Sequence, residues 1–287
     1  MRTRITGLLK RITVLVLLFA TTTISAQNII YEKEDSIFIE HMIKEHSADR
    51  YTDTGERVVA LAKEFIGREY VGETLDKHDN EPLFISCSEL DCTTFVETVL
   101  AITMCGQNGS FTDFCKNLGR IRYRNGKNEG YASRLHYTSW WIADPAKQGI
   151  VEEIETKLHN ASQKLNLNFM STHPEKYRHL KDDKKRTEEI AVLEKPFCNK
   201  DIRYIPKEKI CELDRNDIKD GDIIAVVTAI EGLDVSHIGF AYWNNRELHM
   251  IHASSAANRV INDTTSLHTY LSRRKNSLGI RVFRVCR

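Results

Sequence analysis

The hydrophobic pattern changes its period along the chain, and this change constrains the fold more than any other feature. Residues 35–66 are predicted to be helical, with apolar side chains at a 3.6-residue spacing over Thr54 to Ile66, and a second amphipathic helix is predicted from Asp91. After residue 220 the apolar residues lie instead in short runs rich in β-branched and aromatic side chains, at 222–228, 237–243, 247–253 and 279–285. Helices followed by an antiparallel sheet predict an α+β architecture.

A polar stretch separates these two parts. Between Lys147 and Asp217 the chain is charged, with KDDKKRTEE at 181–189, which is typical of a solvated helix face. A structureless loop of about 70 residues is uncommon in a compact domain. We therefore predict a single domain over 27–287 with helical insertions, including a polar insertion around 147–217.

The first 26 residues have the layout of a secretory signal peptide. A basic start is followed by an apolar run at 12–20 and by TTTISA before Gln27. The apolar run is shorter than the roughly 20 residues that span a bilayer, so we expect cleavage rather than a stable membrane anchor. The sequence thus predicts a protein that is periplasmic or secreted.

The charge balance argues against one class of partner. The chain has 41 Lys+Arg against 40 Asp+Glu, a formal net charge of +1, whereas proteins that bind nucleic acid usually carry a concentrated basic surface. Removal of residues 1–26 would take away four basic residues and no acidic one, leaving a net charge of −3. We expect no nucleic-acid partner.

A cysteine and two histidines form the candidate reactive group. Cys92 stands at the first position of the helix that Asp91 is predicted to cap, where the helix dipole favours a thiolate. A cysteine nucleophile needs a base, and His237 begins one predicted strand while His252 ends the next. These positions are neighbours in an antiparallel pair, so the three residues fit the pattern of nucleophile, base and orienting group.

At these residues the chain resembles the papain-like NlpC/P60 superfamily of cell-wall hydrolases. The motifs that carry the resemblance are LDCTTF, DGD at 220–222, SHIGFAYW and MIHA. The chain is more closely similar to the N-acetylmuramoyl-L-alanine amidase-like branch, through segments at 65–76 (FIGREYVGETLD), 90–101 (LDCTTFVETVLA), 134–144 (RLHYTSWWIAD), 169–177 (FMSTHPEKY) and 204–210 (YIPKEKI). The resemblance implies a papain-like fold in which a helix carrying the nucleophile packs on an antiparallel sheet.

The resemblance also implies roles for individual residues. Cys92 would be the nucleophile, His237 the general base and acid, and His252 the residue that orients His237. Tyr70, together with the Cys92 backbone N–H, would stabilise the oxyanion. No cofactor is implied.

The implied substrates are muropeptides derived from peptidoglycan. Thr93-Thr94 replaces the Ser-Gly of the wider superfamily, which argues against its usual cleavage after D-glutamate. The amidase branch is implied to cut between the lactyl group of N-acetylmuramic acid and L-alanine, with a preference for anhydro-muramic ends. A stem-peptide endopeptidase and a non-catalytic muropeptide-binding protein are the alternatives.

Further residues are candidates for substrate binding. A sugar–peptide ligand needs stacking surfaces and charged donors, and a cluster at 134–141 supplies both. The tryptophans could equally be packing residues, and the arginine a structural ion-pair partner. The candidates are Asp91, Thr93, Arg134, His136, Tyr137, Trp140 and Ser236.

A metal site and a disulfide framework are the remaining possibilities. His249 and His252 are three apart on a predicted strand and so point to opposite faces, and no His-Glu-x-x-His motif occurs, so we expect no zinc. Cys87 is a weaker nucleophile candidate than Cys92 because no helix begins at ISCSEL. The cysteines other than Cys92 could be free or paired in any of 15 ways; they are residues 87, 105, 115, 198, 211 and 286.

Overall fold

The computed structural model describes residues 28–286, so the predicted signal peptide at 1–26 lies outside the described residues. The helices are α1 (Lys33–Glu45), α2 (Thr54–Glu64), α3 (Cys92–Thr103), α4 (Phe111–Arg122), α5 (Thr138–Lys147), α6 (Phe169–Thr172), α7 (Lys184–Glu194) and α8 (Leu267–Ser272). The strands are β1 (Ile29–Ile30), β2 (Glu69–Tyr70), β3 (Leu83–Phe84), β4 (Glu89–Leu90), β5 (Val151–Glu153), β6 (Ala161–Asn166), β7 (Cys198–Pro206), β8 (Ile223–Thr228), β9 (Val235–Asn244), β10 (Glu247–Ser254), β11 (Arg259–Asn262) and β12 (Ser277–Val285). The predicted α+β class is confirmed.

One large sheet contains most of the strands. Its order is β4-β2-β11-β10-β9-β8-β12-β7-β6, with β5 also paired to β12. Neighbours along this path are antiparallel except β2 and β4, which run parallel, so the sheet is mixed at one edge. The four predicted strands form β8, β9, β10 and β12, and the predicted tight turn joins β9 to β10 through Asn245, whose φ is 55°.

The polar stretch between Lys147 and Asp217 contributes three strands to this sheet. Strands β5 and β7 both pair with β12, and β6 extends the sheet beyond β7. The charged run at 181–189 leads into α7, in which only Ile190 and Glu194 are buried, as expected for a solvated face. The papain-like character of the fold stays a prediction.

Helix α3 is a buried helix that packs between α2 and the sheet. Every residue of α3 from Thr94 to Thr103 is buried. The Phe95 ring, which has no exposed surface, packs edge-on against Phe65 at 6.0 Å and against Phe240 of β9 at 5.6 Å. Aromatic pairs in this geometry add to the free energy of burial, and they hold α3 against both α2 and the sheet.

Polar groups hold α3 at both ends and along its length. At the N-terminus, Asp91 Oδ1 accepts the Thr94 N–H at 2.7 Å, which confirms the predicted cap. At the C-terminus, the buried Arg57 guanidinium donates to the carbonyl oxygens of Thr103 at 2.7 Å and Cys105 at 3.1 Å. Between them, Glu97 accepts from Arg122 Nε of α4 at 2.8 Å, with both side chains almost fully buried.

No helix within residues 28–286 combines the length and apolar character needed to cross a bilayer.

The packing around α3 predicts a large loss of stability when Phe95 is truncated. We expect Phe95→Ala to lower the free energy of unfolding by about 3–5 kcal/mol, because it removes a buried ring and leaves a cavity. Denaturant unfolding of this variant, compared with Val192→Ala at an exposed position of α7, measures the effect. Equal stabilities of the two variants would contradict this account of the core.

Candidate active site

Cys92 is the first residue of α3, and its partly buried thiol receives several hydrogen bonds. The Ile238 backbone N–H of β9 donates to Sγ, and so does the Thr93 hydroxyl. Since His237 directly precedes Ile238 on β9, the sheet strand that contacts the thiol is the one that carries the predicted base. The structure thus brings the helix start and the SHIGF segment together, as the sequence predicted.

His237 and His252 form a close pair. His237 Nε2 lies 2.6 Å from His252 Nδ1, with the ring planes at 87°. His252 is 1% exposed, whereas His237 is only partly buried. The contact needs one protonated and one unprotonated nitrogen, so it couples the tautomers of the two rings.

Gly239 makes room for this pair. A Cβ atom at residue 239 would lie 2.8 Å from Cβ of His252 and 2.7 Å from Cγ of Met250. Any other residue would therefore push β10 away from β9 at the level of the histidines. This steric constraint explains why residue 239, two positions after His237, is a glycine.

Two further residues complete the site, and sequence reasoning missed both. The Tyr270 ring of α8 lies 6.1 Å from the His237 ring and 5.5 Å from the His252 ring. Asp263, just after β11, places Oδ2 at 3.5 Å from His252 Nε2, while its Oδ1 accepts the Thr265 N–H at 2.8 Å. Neither belongs to a recognisable motif, because the pairing of β11 with β10 alone brings Asp263 to His252.

The electrostatics of the site oppose a resting thiolate. Burial, reinforced by the Asp91 carboxylate, raises the pKa of the Cys92 thiol to about 11 despite the hydrogen bonds from Ile238 and Thr93. Burial and the Asp91 charge thus act against the ionised thiol that the helix start was expected to favour. Burial, His252 and Arg274 together lower the pKa of His237 well below its usual range. The resting pair is a neutral thiol beside a neutral imidazole.

Asp263, the carboxylate beside His252, is stabilised in its charged form. Burial alone would raise the pKa of Asp263, but its contacts with His252 and Thr265 outweigh burial and lower that pKa. Asp263 is therefore ionised at neutral pH. Its charge favours a proton on His252 Nε2, which leaves His252 Nδ1 free to accept from His237 Nε2–H.

Tyr70 lies close enough to Cys92 and Asp91 to feel their charges. Its strand β2 pairs with β4, which leads directly into α3. Burial, followed by the charges of Cys92 and Asp91, raises the pKa of Tyr70 to about 12. The phenol therefore keeps its proton beside the thiol and can donate it in a hydrogen bond.

The substrate-binding candidates fall into two groups. Ser236 is exposed and lines a cavity of about 360 Å³ together with His237 and His252. Thr93 contacts the thiol directly, and Asp91 serves as the helix cap.

The four candidates from the 134–141 cluster have internal partners instead. Arg134 is buried and forms ion pairs with Asp76 and Glu81. His136 Nε2 lies 2.8 Å from the Tyr131 carbonyl oxygen. The Tyr137 hydroxyl donates to Glu194 Oε1 at 2.7 Å, and Trp140 is 1% exposed. None of the four lines the cavity beside His237, so these contacts favour the packing and ion-pair alternative, and substrate binding by them stays a prediction.

Residues 28–286 hold no group of three or more His, Cys, Asp or Glu side chains arranged to bind a metal ion. His249 is buried and its Nδ1 lies 3.0 Å from the Asp263 carbonyl oxygen.

Residues 28–286 include all seven cysteines of the chain, and within this range each cysteine is unpaired. Cys87, the weaker nucleophile candidate, is 2% exposed, and burial raises the pKa of its thiol well above the usual value. An inaccessible thiol of this kind cannot attack a substrate, so Cys92 is the only one of the two candidates that a ligand could reach.

Comparison with known proteins gives consistent results. A family model described as "AmiA-like: N-acetylmuramoyl-L-alanine amidase-like" matches residues 60–280. The crystal structure of an N-acetylmuramoyl-L-alanine amidase from Bacteroides uniformis is 35% identical, with a TM-score of 0.77 over 82% of this chain and 99% of that chain. A proposed xylanase from Bacteroides fragilis is 42% identical, with a TM-score of 0.74 over 79% of this chain and 100% of that one.

A more distant structure shares the fold alone. A protein from Legionella pneumophila is 24% identical, with a TM-score of 0.65 over 88% of this chain and 96% of that chain. Among curated proteins, none matches the chain significantly.

The raised thiol pKa predicts slow alkylation of Cys92 at neutral pH. We expect the rate of its reaction with iodoacetamide to keep rising from pH 7 to pH 10, with a half-maximum above the value of about 8.5 of a free cysteine. Peptide-resolved mass spectrometry separates Cys92 from the other cysteines, and the same peptide in the unfolded protein is the control. A rate that reaches its plateau below pH 8 would contradict the neutral resting pair.

Proposed function

The chain belongs to the AmiA-like, N-acetylmuramoyl-L-alanine amidase-like family, and we propose that it is a cysteine amidase. Its reaction is hydrolysis of the bond between the lactyl group of N-acetylmuramic acid and L-alanine in peptidoglycan fragments. The observation that carries this proposal is the arrangement of Cys92 at the start of α3 against the strand of the 2.6 Å His237–His252 pair. A thiol beside paired imidazoles is suited to acyl transfer.

In the first step Sγ of Cys92 attacks the lactyl carbonyl carbon while His237 takes the thiol proton. Because burial disfavours the separated thiolate, the proton moves as the S–C bond forms. The resulting oxyanion receives hydrogen bonds from the Tyr70 hydroxyl and the Cys92 backbone N–H.

The intermediate then collapses with loss of the peptide. The C–N bond breaks, and His237 returns its proton to the departing amine of L-alanine, which leaves a thioester on Cys92. A water molecule, deprotonated by His237, hydrolyses the thioester and releases the lactyl carboxylate. The thiol is restored at the end of the cycle.

The histidine chain provides the correct tautomer for these steps. With Asp263 favouring a proton on His252 Nε2, His252 Nδ1 accepts from His237 Nε2–H, and the unprotonated Nδ1 of His237 is then the atom that receives the thiol proton. When His237 is protonated, the negative charge of Asp263 stabilises the positive charge through His252. Asp263 is thus a positioning residue, since it acts through His252.

The superfamily, the substrate preference and the site of action that we propose each have separate support. The SHIGFAYW and LDCTTF motifs support membership of the papain-like NlpC/P60 superfamily, and the segments shared with the amidase branch support a preference for anhydro-muropeptides. The signal-like layout of residues 1–26 supports action in the periplasm or after secretion.

Glycoside hydrolysis is the activity proposed for one of the similar structures. Most glycosidases use two carboxylates that flank the scissile bond. At the site described here the groups beside the cavity are imidazoles and a phenol, and Asp263 lies behind His252. This chemistry favours an acyl-transfer enzyme.

The nucleophile is tested with one defined anhydro-muropeptide. The wild-type protein should release the sugar with a free lactyl carboxylate and a peptide that begins at L-alanine, as measured by mass spectrometry. Cys92→Ala should abolish this release, whereas Cys211→Ala, at an exposed position, should not change it.

Three other results would each contradict the proposal and identify a different function. Cleavage inside the stem peptide would identify an endopeptidase, and binding without any cleavage would identify a muropeptide-binding protein. Activity that survives Cys92→Ala but is removed by a chelator would identify a metal-dependent reaction.

The positioning role of Asp263 predicts a selective kinetic defect. Asp263→Asn keeps the shape but removes the charge, so we expect kcat to fall about 10-fold with KM unchanged, the equivalent of about 1.4 kcal/mol in the transition state. The acidic limb of the kcat/KM profile should move to lower pH, because the imidazolium loses a stabilising charge. Asp201→Asn, at an exposed site, is the control; an unmoved pH profile for Asp263→Asn would contradict the role.

A further inference from the structure

The cavity beside the histidine pair is positively charged on one wall. Its volume is about 360 Å³, and Arg274 and Lys275, which follow α8, line it together with His237 and His252. Among the described residues that line this cavity, none is acidic. Neither Arg274 nor Lys275 forms an ion pair with a carboxylate of residues 28–286.

Arg274 is held rigidly relative to the base. Its guanidinium lies over the Tyr270 ring, 3.4 Å from the centroid, and its Nη1 donates to the Tyr270 carbonyl oxygen at 3.0 Å. The same Tyr270 ring packs against His237 and His252. A planar guanidinium fixed in this way keeps other N–H donors available for a two-point contact with a carboxylate.

The rest of the cavity wall is suited to binding a polar peptide. Ser236, Ser254, Ser255 and Asn276 line it, and Ser255 and Asn276 are exposed. Hydroxyl and amide groups of this kind can accept from and donate to the backbone of a peptide. Two cations and several neutral polar groups without a carboxylate are complementary to an anionic peptide.

The reaction chemistry indicates which half of the substrate enters this cavity. In the proposed mechanism His237 must protonate the departing amine, so the leaving group has to lie on the His237 side of the scissile bond. The leaving group is the stem peptide, which carries free carboxylates. The acyl half, which contains the sugar, stays attached to Cys92 and therefore lies on the other side.

We propose that Arg274 and Lys275 form a subsite that binds a free carboxylate of the leaving stem peptide. This inference rests on the proposed amidase function, because the reaction decides which half of the substrate lies beside His237. The subsite would make the enzyme selective for stem peptides whose carboxylates are not amidated. It would also hold the departing amine next to the protonated His237.

The test compares matched peptides and matched variants. The ligands are the stem peptide with all carboxylates free, the same peptide with the D-glutamate α-carboxylate amidated, and the same peptide amidated only at its C-terminus. Binding to the wild-type protein, to Arg274→Gln and to Lys275→Gln is measured by calorimetry, and kcat and KM are measured on the corresponding anhydro-muropeptides. Arg273→Gln, one residue before the subsite and outside the cavity lining, is the control.

We expect amidation at one of the two positions to weaken binding to the wild-type protein about 10-fold, the typical consequence of losing one charge-assisted contact. Arg274→Gln should raise KM for the free-carboxylate substrate by a similar factor and abolish the preference over the amidated one. Arg274→Lys should restore part of the preference, and Arg273→Gln should keep it whole. The position whose amidation matters identifies the carboxylate.

The outcomes separate this inference from the proposed function. If the wild-type protein cleaves all three substrates and Arg274→Gln impairs them equally, Arg274 supports Tyr270 only and the subsite is refuted while the amidase stands. If the wild-type protein cleaves none of the three, the amidase is refuted, and calorimetry still decides the subsite. Equal binding of the free and both amidated peptides to the wild-type protein overturns it.

Discussion

The structure of the site depends on the burial and fixation of α3. Its body is buried between α2 and the sheet, Asp91 caps its start, and the Arg57 guanidinium donates to carbonyl oxygens at its end and just beyond it. Because a buried helix with both ends satisfied can neither rotate nor slide without losing these contacts, Cys92 has one position relative to β9. Tyr70 and the histidine pair are arranged around that position.

The same burial explains the chemistry of the site. Desolvation keeps the thiol protonated and His237 neutral, so charge appears only when the proton moves between them. In the mechanism that we propose, Tyr70, His252 and Asp263 lie where charge develops during the reaction. In that mechanism the N–H groups at the start of α3 stabilise the transition state more than the resting thiol.

The features that the sequence predicted correctly are those that depend on residues close together in the chain. The strands β8, β9, β10 and β12 were predictable because runs of β-branched and aromatic residues favour strands by themselves, and the Asp91 cap because its hydrogen bond spans three residues. Strands β6, β7 and β11 were not predicted, since β6 and β7 are largely polar and β11 has only four residues, so none contains a long run of β-branched and aromatic residues. Arg134 illustrates the converse, because the sequence left open whether it binds substrate or forms an ion pair, and only the structure shows its partly buried partners Asp76 and Glu81.

The sequence by itself determined the candidate reactive groups: a cysteine at a helix start and a histidine at each of two neighbouring strand positions. Only the tertiary structure decided how these groups are charged and what surrounds them. The raised pKa of Cys92, the Asp263 carboxylate behind His252 and the Arg274 wall of the cavity all arise from residues far apart in the chain. The physical reason is that desolvation and Coulomb interactions depend on distances in space, which local sequence patterns do not contain.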